Sequence, residues 1–262
     1  MKYKDFDGNV ETLIQMKLKE IEEKEQVKVL HAVESGSRAW GFASPDSDYD
    51  VRFIYVRPWE FYLGLEPAKD FIEWELDETL DINGWDLSKA MRHFHKSNAT
   101  LFEWANSPIV YATTPEWERV MQAAGGYFSC KSAMYHYYGT ANKNYHEYLK
   151  EDRVKYKKYF YALRPILACK WIEEKKCPPP VLFQELADAV LEEDMKPRIE
   201  ELVKKKMEMV ESEKGERIDE INGYLADRLL YYKQKTDSLE DDRNREWGPL
   251  NQAFIGLLKI PR

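Results

Sequence analysis

Two aspartates separated by one residue, Asp48 and Asp50, are the most chemically informative feature of the sequence. The residues from Tyr49 to Val56 are rich in β-branched and aromatic side chains, which predicts a strand. Because successive side chains of a strand point to opposite faces, we expect the two carboxylates to share one face. Neighbouring carboxylates repel each other, and a shared divalent cation removes that repulsion because hard cations bind oxygen ligands. The pattern therefore favours a Mg²⁺ or Mn²⁺ site.

A glycine–serine pair, Gly36-Ser37, follows a predicted strand at 27–33 and is joined to Asp48 by a loop of ten residues. Glycine lets the backbone approach a ligand closely, and serine offers a hydroxyl and an amide to an anion. The next residue, Arg38, is interpreted either as a phosphate contact or as an ordinary surface arginine.

The stretch Gly36 to Arg52 reads Gly-Ser-Arg-Ala-Trp-Gly-Phe-Ala-Ser-Pro-Asp-Ser-Asp-Tyr-Asp-Val-Arg. It resembles the signature of the DNA-polymerase-β-like nucleotidyltransferase superfamily, and within that superfamily it is most similar to the RNA-repair-pathway DNA polymerase β family. Ser35 departs from the usual pattern, which has an apolar residue before the glycine. Less specific segments at 107–111 and 159–165 are also similar to that family, so the resemblance covers most of the chain.

This resemblance implies a metal-dependent nucleotidyltransferase that moves a nucleoside monophosphate from a nucleoside triphosphate, such as ATP, to an acceptor hydroxyl. RNA under repair is the acceptor that the family implies. Two metal ions would clamp the attacking and leaving oxygens. The catalytic and metal-binding residues that the resemblance implies are Asp48, Asp50 and Asp81, and the nucleotide-binding residues are Gly36, Ser37 and Arg38.

Two acids compete for the place of the third carboxylate. Asp81 lies between apolar residues in a strand predicted at 78–83, where a charged group needs a partner. Asp86 precedes a helical pattern and is explained as a helix N-cap without any metal. The sequence therefore favours Asp81. On the second strand, Arg52 shares a face with Asp48 and Asp50, and it is expected to balance their charge or to contact a phosphate, with the first interpretation favoured.

The composition excludes several classes of protein. The 262 residues carry a net charge of −8, which excludes a bulk nucleic-acid coat protein but permits a local basic groove. Three cysteines without paired metal-ligand spacing, and no signal sequence, indicate a reducing cytoplasm. No apolar run is long enough to span a bilayer. Neither the composition nor the motifs specify an oligomeric state.

The predicted fold class is α+β, with a small mixed-sheet nucleotidyltransferase domain at 1–112 followed by an all-helical domain at 113–262. A helix at 7–23, a hairpin at 71–83 and helices from Leu87 belong to the first domain. In the second domain, an aromatic stripe on the helix at 129–149 is interpreted as core in preference to a base-stacking surface, and Pro165 is expected to kink or break the next helix. The basic residues considered there as substrate contacts are Arg153, Lys155, Lys157, Lys158 and Arg164. Most of them are interpreted as a solvated helix face, and only Arg164, beside the proline, is favoured as a contact. The stripe consists of Met134, Tyr135, Tyr138, Ala141, Tyr145 and Tyr148.

Other activities remain open at this point. A protein or a small molecule could replace RNA or DNA as the acceptor, and the nucleobase is not specified. A non-catalytic nucleotide-binding module would be favoured if a third acid were absent, but Asp81 is present. The C-terminal helices do not resemble the helical RNase that accompanies some of these transferases, because no histidine follows an arginine at the required spacing.

Overall fold

The structure is a computed structural model that describes residues 8–44, 46–66, 68–77, 79–208 and 213–258. The chain forms two compact units, each built from more than one segment. Asp7 of the helix predicted at 7–23, Glu78 of the hairpin predicted at 71–83 and residues 209–212 of the predicted helical domain lie outside the described residues. The first unit contains Met1–Ala39, Asp48–Tyr127 and Asn244–Arg262, and the second contains Trp40–Ser47 and Phe128–Arg243.

A five-stranded mixed sheet forms the centre of the first unit, which confirms the predicted α+β class. The strand order is β3-β4-β2-β1-β5, and only the β2–β4 pair among these neighbours is parallel. The second predicted strand, Tyr49–Val56, has the bounds that the sequence indicated. The strands are β1 (Lys28–Glu34), β2 (Tyr49–Val56), β3 (Phe71–Asp77), β4 (Leu80–Asp86) and β5 (Val110–Thr113).

Helix α1 (Val10–Glu25) packs on one face of this sheet. Its buried stripe, Leu13, Ile14, Leu18 and Ile21, belongs to the same core as alternate residues of β2 and β4. These sheet residues are Val51, Phe53, Tyr55, Leu80 and Ile82. Since side chains alternate along a strand, Asp50 and Arg52 of β2 and Asp81 of β4 lie on the opposite face of the sheet.

The remaining helices of the first unit are short. Asn9, Asp86, Asn98 and Thr114 accept backbone N–H groups at the starts of four helices, as helix N-caps do. Besides α1, the helices are α2 (Gly36–Ala39), α3 (Trp59–Tyr62), α4 (Leu87–His95), α5 (Ala99–Ala105), α6 (Pro115–Ala124) and α12 (Gly248–Leu258).

The second unit is mainly helical. Its longest helices are α7, α8 and α11, and it also contains a two-stranded antiparallel ribbon that the sequence analysis did not predict. The helices are α7 (Cys130–Tyr148), α8 (Lys157–Lys175), α9 (Phe183–Val190), α10 (Lys196–Glu208) and α11 (Asp219–Ser238), and the ribbon is β6 (Arg153–Lys155) with β7 (Lys214–Glu216).

Two predictions for the helices of the second unit are wrong in part. In the stripe predicted on α7, Met134 and Ala141 are buried, but Tyr135 and Tyr148 are exposed, and Tyr137, outside that stripe, is buried. The reason is that tyrosines occur on several faces of this helix, so their spacing alone does not identify the buried face. Helix α8 also continues through Pro165 without a break. Among the described residues, no helix is long and apolar enough to cross a membrane.

Candidate active site

Asp50 and Asp81 lie side by side on neighbouring parallel strands. Their Cα atoms are direct partners in the register of β2 and β4. Both side chains are partly open to solvent, with 34% of Asp50 and 46% of Asp81 exposed. Two carboxylates placed directly opposite each other repel, so this arrangement requires a positive charge between them.

Arg52 supplies a positive charge to both carboxylates. Its Nη2 atom donates to Asp50 Oδ1 at 2.9 Å and to Asp81 Oδ2 at 2.8 Å. Its Nη1 atom donates to the main-chain oxygens of Val51 and Asp81 at 3.0 and 3.3 Å, which fixes the guanidinium in place. The expectation that Arg52 balances the charge of Asp48 and Asp50 is confirmed for Asp50 only, because the second carboxylate that Arg52 binds is that of Asp81.

Gly36 lies against the Asp50 carboxylate. Its φ is +63°, a conformation that favours glycine, and a Cβ atom at this position would lie 2.3 Å from Asp50 Oδ2. Glycine is therefore required here for two reasons, the backbone conformation and the space that the carboxylate occupies. The sequence suggested only that Gly36 leaves room for a phosphate.

Glu34 is a buried carboxylate that the sequence analysis did not assign to the site. It is 1% exposed, and its side chain accepts the Asp50 amide at 2.7 Å and the Tyr111 hydroxyl at 2.5 Å. Burial raises its pKa from 4.5 to about 7, and the hydrogen bonds from Tyr111 and Asp50 oppose that rise. The position of Glu34 at the end of β1, one residue before the Ser35-Gly36 turn, was the signal that could have identified it.

The other predicted site residues lie near this group but are not gathered into one cluster. Asp48 precedes β2 and is exposed, and its main-chain oxygen accepts Arg38 Nε at 3.0 Å. The Arg38 guanidinium stacks on the Tyr49 ring at 3.7 Å, so it links the two ends of the 38–48 segment. Ser37 is half-buried in the single turn of α2.

A divalent cation fits the donor chemistry of Asp50 and Asp81, which present oxygen ligands and already bind a cationic nitrogen. Within the described ranges, however, no three or more Asp, Glu, His or Cys side chains are close enough together to hold a metal ion. Asp48 would have to bring its carboxylate to the other two to complete the ligand set that the sequence suggested. Arg52 would have to share or yield its place between the two aspartates.

Asp86 has the structural role that the sequence predicted. Its side chain accepts Ser88 N–H at 2.7 Å as the N-cap of α4 and the Tyr62 hydroxyl at 2.9 Å, and burial raises its pKa. The two histidines of α4 are also structural. His93 stacks on Trp85, and His95 stacks on Trp247.

Arg164, considered above as a substrate contact, is a buried structural residue of the second unit. It is 2% exposed, its Nε donates to the Val181 oxygen at 3.0 Å, and its guanidinium lies 4.7 Å from the centre of the Trp40 ring. These contacts fix Arg164 inside the unit that contains it. We therefore exclude it from the candidate site.

Comparisons with known proteins relate the chain to one family. The uncharacterized protein YcgL of Bacillus subtilis (strain 168) is 41% identical over 246 residues, which span 92% of this chain and 94% of that protein. A solved structure, a nucleotidyltransferase-like protein from Exiguobacterium sibiricum 255-15, aligns with 86% of this chain and 75% of its own chain at 11% identity and a TM-score of 0.27. The model of the RNA repair pathway DNA polymerase beta family matches residues 10–256. The chain belongs to this RNA repair pathway DNA polymerase beta family.

Proposed function

We propose that this protein is a metal-dependent nucleotidyltransferase that transfers a nucleoside monophosphate from a nucleoside triphosphate to an acceptor hydroxyl. Family membership supports nucleotidyl transfer as the activity, and RNA is the acceptor that we propose because the family's description refers to an RNA repair pathway. The observation that carries the proposal is the pairing of Asp50 with Asp81 on adjacent strands, with Arg52 between them. A nucleotidyl-transfer site needs carboxylates fixed on rigid elements, and two paired strands provide them.

Each residue of the site has a role in this proposal. Asp50 and Asp81 would hold the divalent cation, with Asp48 as the third ligand. When bound, the cation supplies positive charge that stabilises the charge developing on the transferred phosphoryl group. Gly36 leaves space beside Asp50, and Ser37 and Arg38 are candidates for contacts with the triphosphate. Their places before β2 support that assignment.

Arg52 and Glu34 support the aspartates rather than the substrate. Arg52 lowers the repulsion between the two carboxylates when no cation is bound. Glu34 accepts the amide of Asp50 and so fixes the backbone that carries this carboxylate. Transfer of a phosphoryl group depends on accurate positioning, because the attacking oxygen must approach an already anionic phosphorus in line with the oxygen that leaves on pyrophosphate.

Two aspartates of β4 provide a matched test. Asp81→Asn removes a proposed ligand, and we expect it to abolish pyrophosphate release from triphosphates in the presence of Mg²⁺ or Mn²⁺. Asp86→Asn keeps the cap on Ser88 but loses the acceptor for the Tyr62 hydroxyl. We expect it to cost about 1–2 kcal/mol of stability while leaving turnover measurable.

Pyrophosphate release is measured with each triphosphate, with labelled triphosphate and total RNA or protein as acceptors. If Asp81→Asn is active and Asp86→Asn is inactive although both are folded, the assignment of the site is wrong. Triphosphate binding without any turnover in the unmodified protein would favour a nucleotide-binding module instead. Label that enters protein or a small molecule would contradict RNA as the acceptor but not nucleotidyl transfer.

A further inference from the structure

Several lysines on the helices of the second unit form ion pairs with a carboxylate. Such pairs are the ordinary pattern of a solvated helix surface and need no ligand to explain them. The pairs are Lys170–Glu192, Lys196–Glu193, Lys205–Glu201 and Lys235–Glu173.

Lys158, in the first turn of α8, has a different environment. Its Nζ atom lies 3.8 Å from the centre of the Tyr148 ring and 5.3 Å from the centre of the Tyr161 ring. Burial lowers the pKa of Lys158, and Lys157 and Lys155 lower it further. The ammonium group is therefore held between two aromatic rings and beside other positive charges.

These residues form one surface, which we call the lysine–tyrosine surface. It combines the end of α7, the start of α8 and one residue of β6. Tyr148 is 42% exposed, so ring area remains accessible beside the part that Lys158 covers. Tyr161 continues the row of rings by an edge contact with Trp40, whose ring centre is 5.2 Å away. The surface consists of Lys143, Lys155, Lys157, Lys158, Tyr148 and Tyr161.

Clustered positive charges raise the free energy of the folded state unless an anion binds to them. Glu147 is the carboxylate that opposes this effect at Lys158, but Lys157 and Lys155 each affect Lys158 more strongly. The protein as a whole has a net charge of −8, so the charge of this basic cluster is opposite in sign to that of the whole protein. An anionic ligand with aromatic groups would match both the lysines and the tyrosine rings.

We propose that the lysine–tyrosine surface binds single-stranded nucleic acid, with phosphates on the lysines and an unstacked base on Tyr148. Sequence-tolerant binding of single strands combines a basic track with aromatic platforms in this way. A duplex keeps its bases stacked and offers only phosphates, so it would use the lysines without the tyrosine. The further statement that this strand is the acceptor rests on the proposed function, whereas the binding itself does not.

The test is fluorescence anisotropy of the full-length protein with a labelled single-stranded RNA, with DNA of the same sequence and with a duplex, over a range of salt concentrations. We expect Tyr148→Ala to weaken single-strand binding about tenfold, because a stacked base is lost. We expect Tyr148→Phe, which keeps the ring, to bind like the unmodified protein. Lys158→Gln should weaken binding and reduce the slope of log affinity against log salt by about one.

Lys205→Gln is the matched control, because it removes one charge from a lysine of the same unit that pairs with Glu201. We expect it to change the affinity less than twofold. The proposal is overturned if the unmodified protein binds no single strand at low salt, or if Tyr148→Ala and Lys158→Gln bind as Lys205→Gln does. Equal binding of duplex and single strand with no effect of Tyr148→Ala would indicate adsorption of any polyanion and would also overturn it.

Asp50→Asn separates this proposal from the proposed function. Because Asp50 is not part of the lysine–tyrosine surface, the variant should bind single strands normally even though turnover is lost. Retained binding by a protein that never transfers a nucleotide contradicts the proposed function alone. Normal turnover on an RNA acceptor after loss of Tyr148 and Lys158 contradicts the acceptor role of the surface alone. Comparing the affinities for RNA and for DNA of the same sequence then shows whether the surface prefers ribose or deoxyribose.

Discussion

Replacing Arg52 by glutamine tests whether the pair of carboxylates is a cation site. Arg52 Nη2 binds Asp50 and Asp81 at 2.9 and 2.8 Å, and the arginine side chain is only 18% exposed. Each partly exposed ion pair contributes about 0.5–1 kcal/mol. The repulsion that remains between two facing carboxylates adds a few tenths of a kcal/mol to about 1 kcal/mol. We therefore expect Arg52→Gln to lower the free energy of unfolding by about 2 kcal/mol in the absence of divalent cations.

Adding Mg²⁺ or Mn²⁺ should reverse much of this loss. A ligand at a hundred times its dissociation constant stabilises the folded state by about 2.7 kcal/mol, and in Arg52→Gln it no longer competes with a guanidinium. The cation-induced stabilisation should consequently be larger in the variant than in the unmodified protein. Chemical unfolding with and without each cation measures both quantities.

Lys89→Gln is the matched control for this experiment. It breaks another ion pair of the first unit, Lys89–Asp70 at 3.1 Å, whose two side chains are about as exposed as those of Arg52 and its aspartate partners. It should lower stability slightly and leave the response to cations unchanged. An equal response in Arg52→Gln, Lys89→Gln and the unmodified protein would refute the assignment of the cation to Asp50 and Asp81.

Two further predictions concern the residues around the sheet. Gly36→Ala should weaken the binding of both the cation and the triphosphate, because the new Cβ atom would lie 2.3 Å from Asp50 Oδ2 and the residue has a φ of +63°. Calorimetry measures both affinities. Unchanged affinity for both ligands in a folded variant would count against a site beside Gly36. Burial lowers the pKa of His31 from 6.5 to about 4, so the unfolded state binds more protons between these values and stability should fall by about 3 kcal/mol as pH decreases from 6.5 to 4. His31→Phe, which can retain the stacking on Trp117, should flatten that pH dependence in chemical unfolding, and equal slopes in the two proteins would show that another group causes it.

The elements of the site that follow from local sequence were predictable. The strand Tyr49–Val56 is rich in β-branched and aromatic residues, and the Asp86 cap needs only an aspartate before a helical pattern. Strand β5 was not predicted, because Val110–Thr113 is short and is stabilised by pairing with β1, a partner far away in sequence. The ribbon of the second unit was missed for a similar reason, since its strands are three residues long and mostly charged.

The assembly of the first unit from separate segments also depends on contacts that composition does not reveal. The sequence indicated a domain boundary near residue 112, where helices begin to dominate. In the structure, Tyr127 donates to the main-chain oxygen of Glu246, and Trp247 stacks on His95. Each of these contacts joins residues more than a hundred positions apart. A periodic pattern within one helix carries no information about such a partner.

The carboxylate of Asp50 is fixed from several directions by residues at the end of β1. The Asp50 amide donates to Glu34 and its oxygen accepts Ser35 N–H at 2.8 Å, while the side chain lies against Gly36 and binds Arg52. Ser35, directly before the Gly-Ser pair, therefore continues the pairing with β2 beyond the end of β1. Gly36 and Asp50 are therefore linked physically, because only a residue without a Cβ atom at position 36 leaves room for the Asp50 carboxylate.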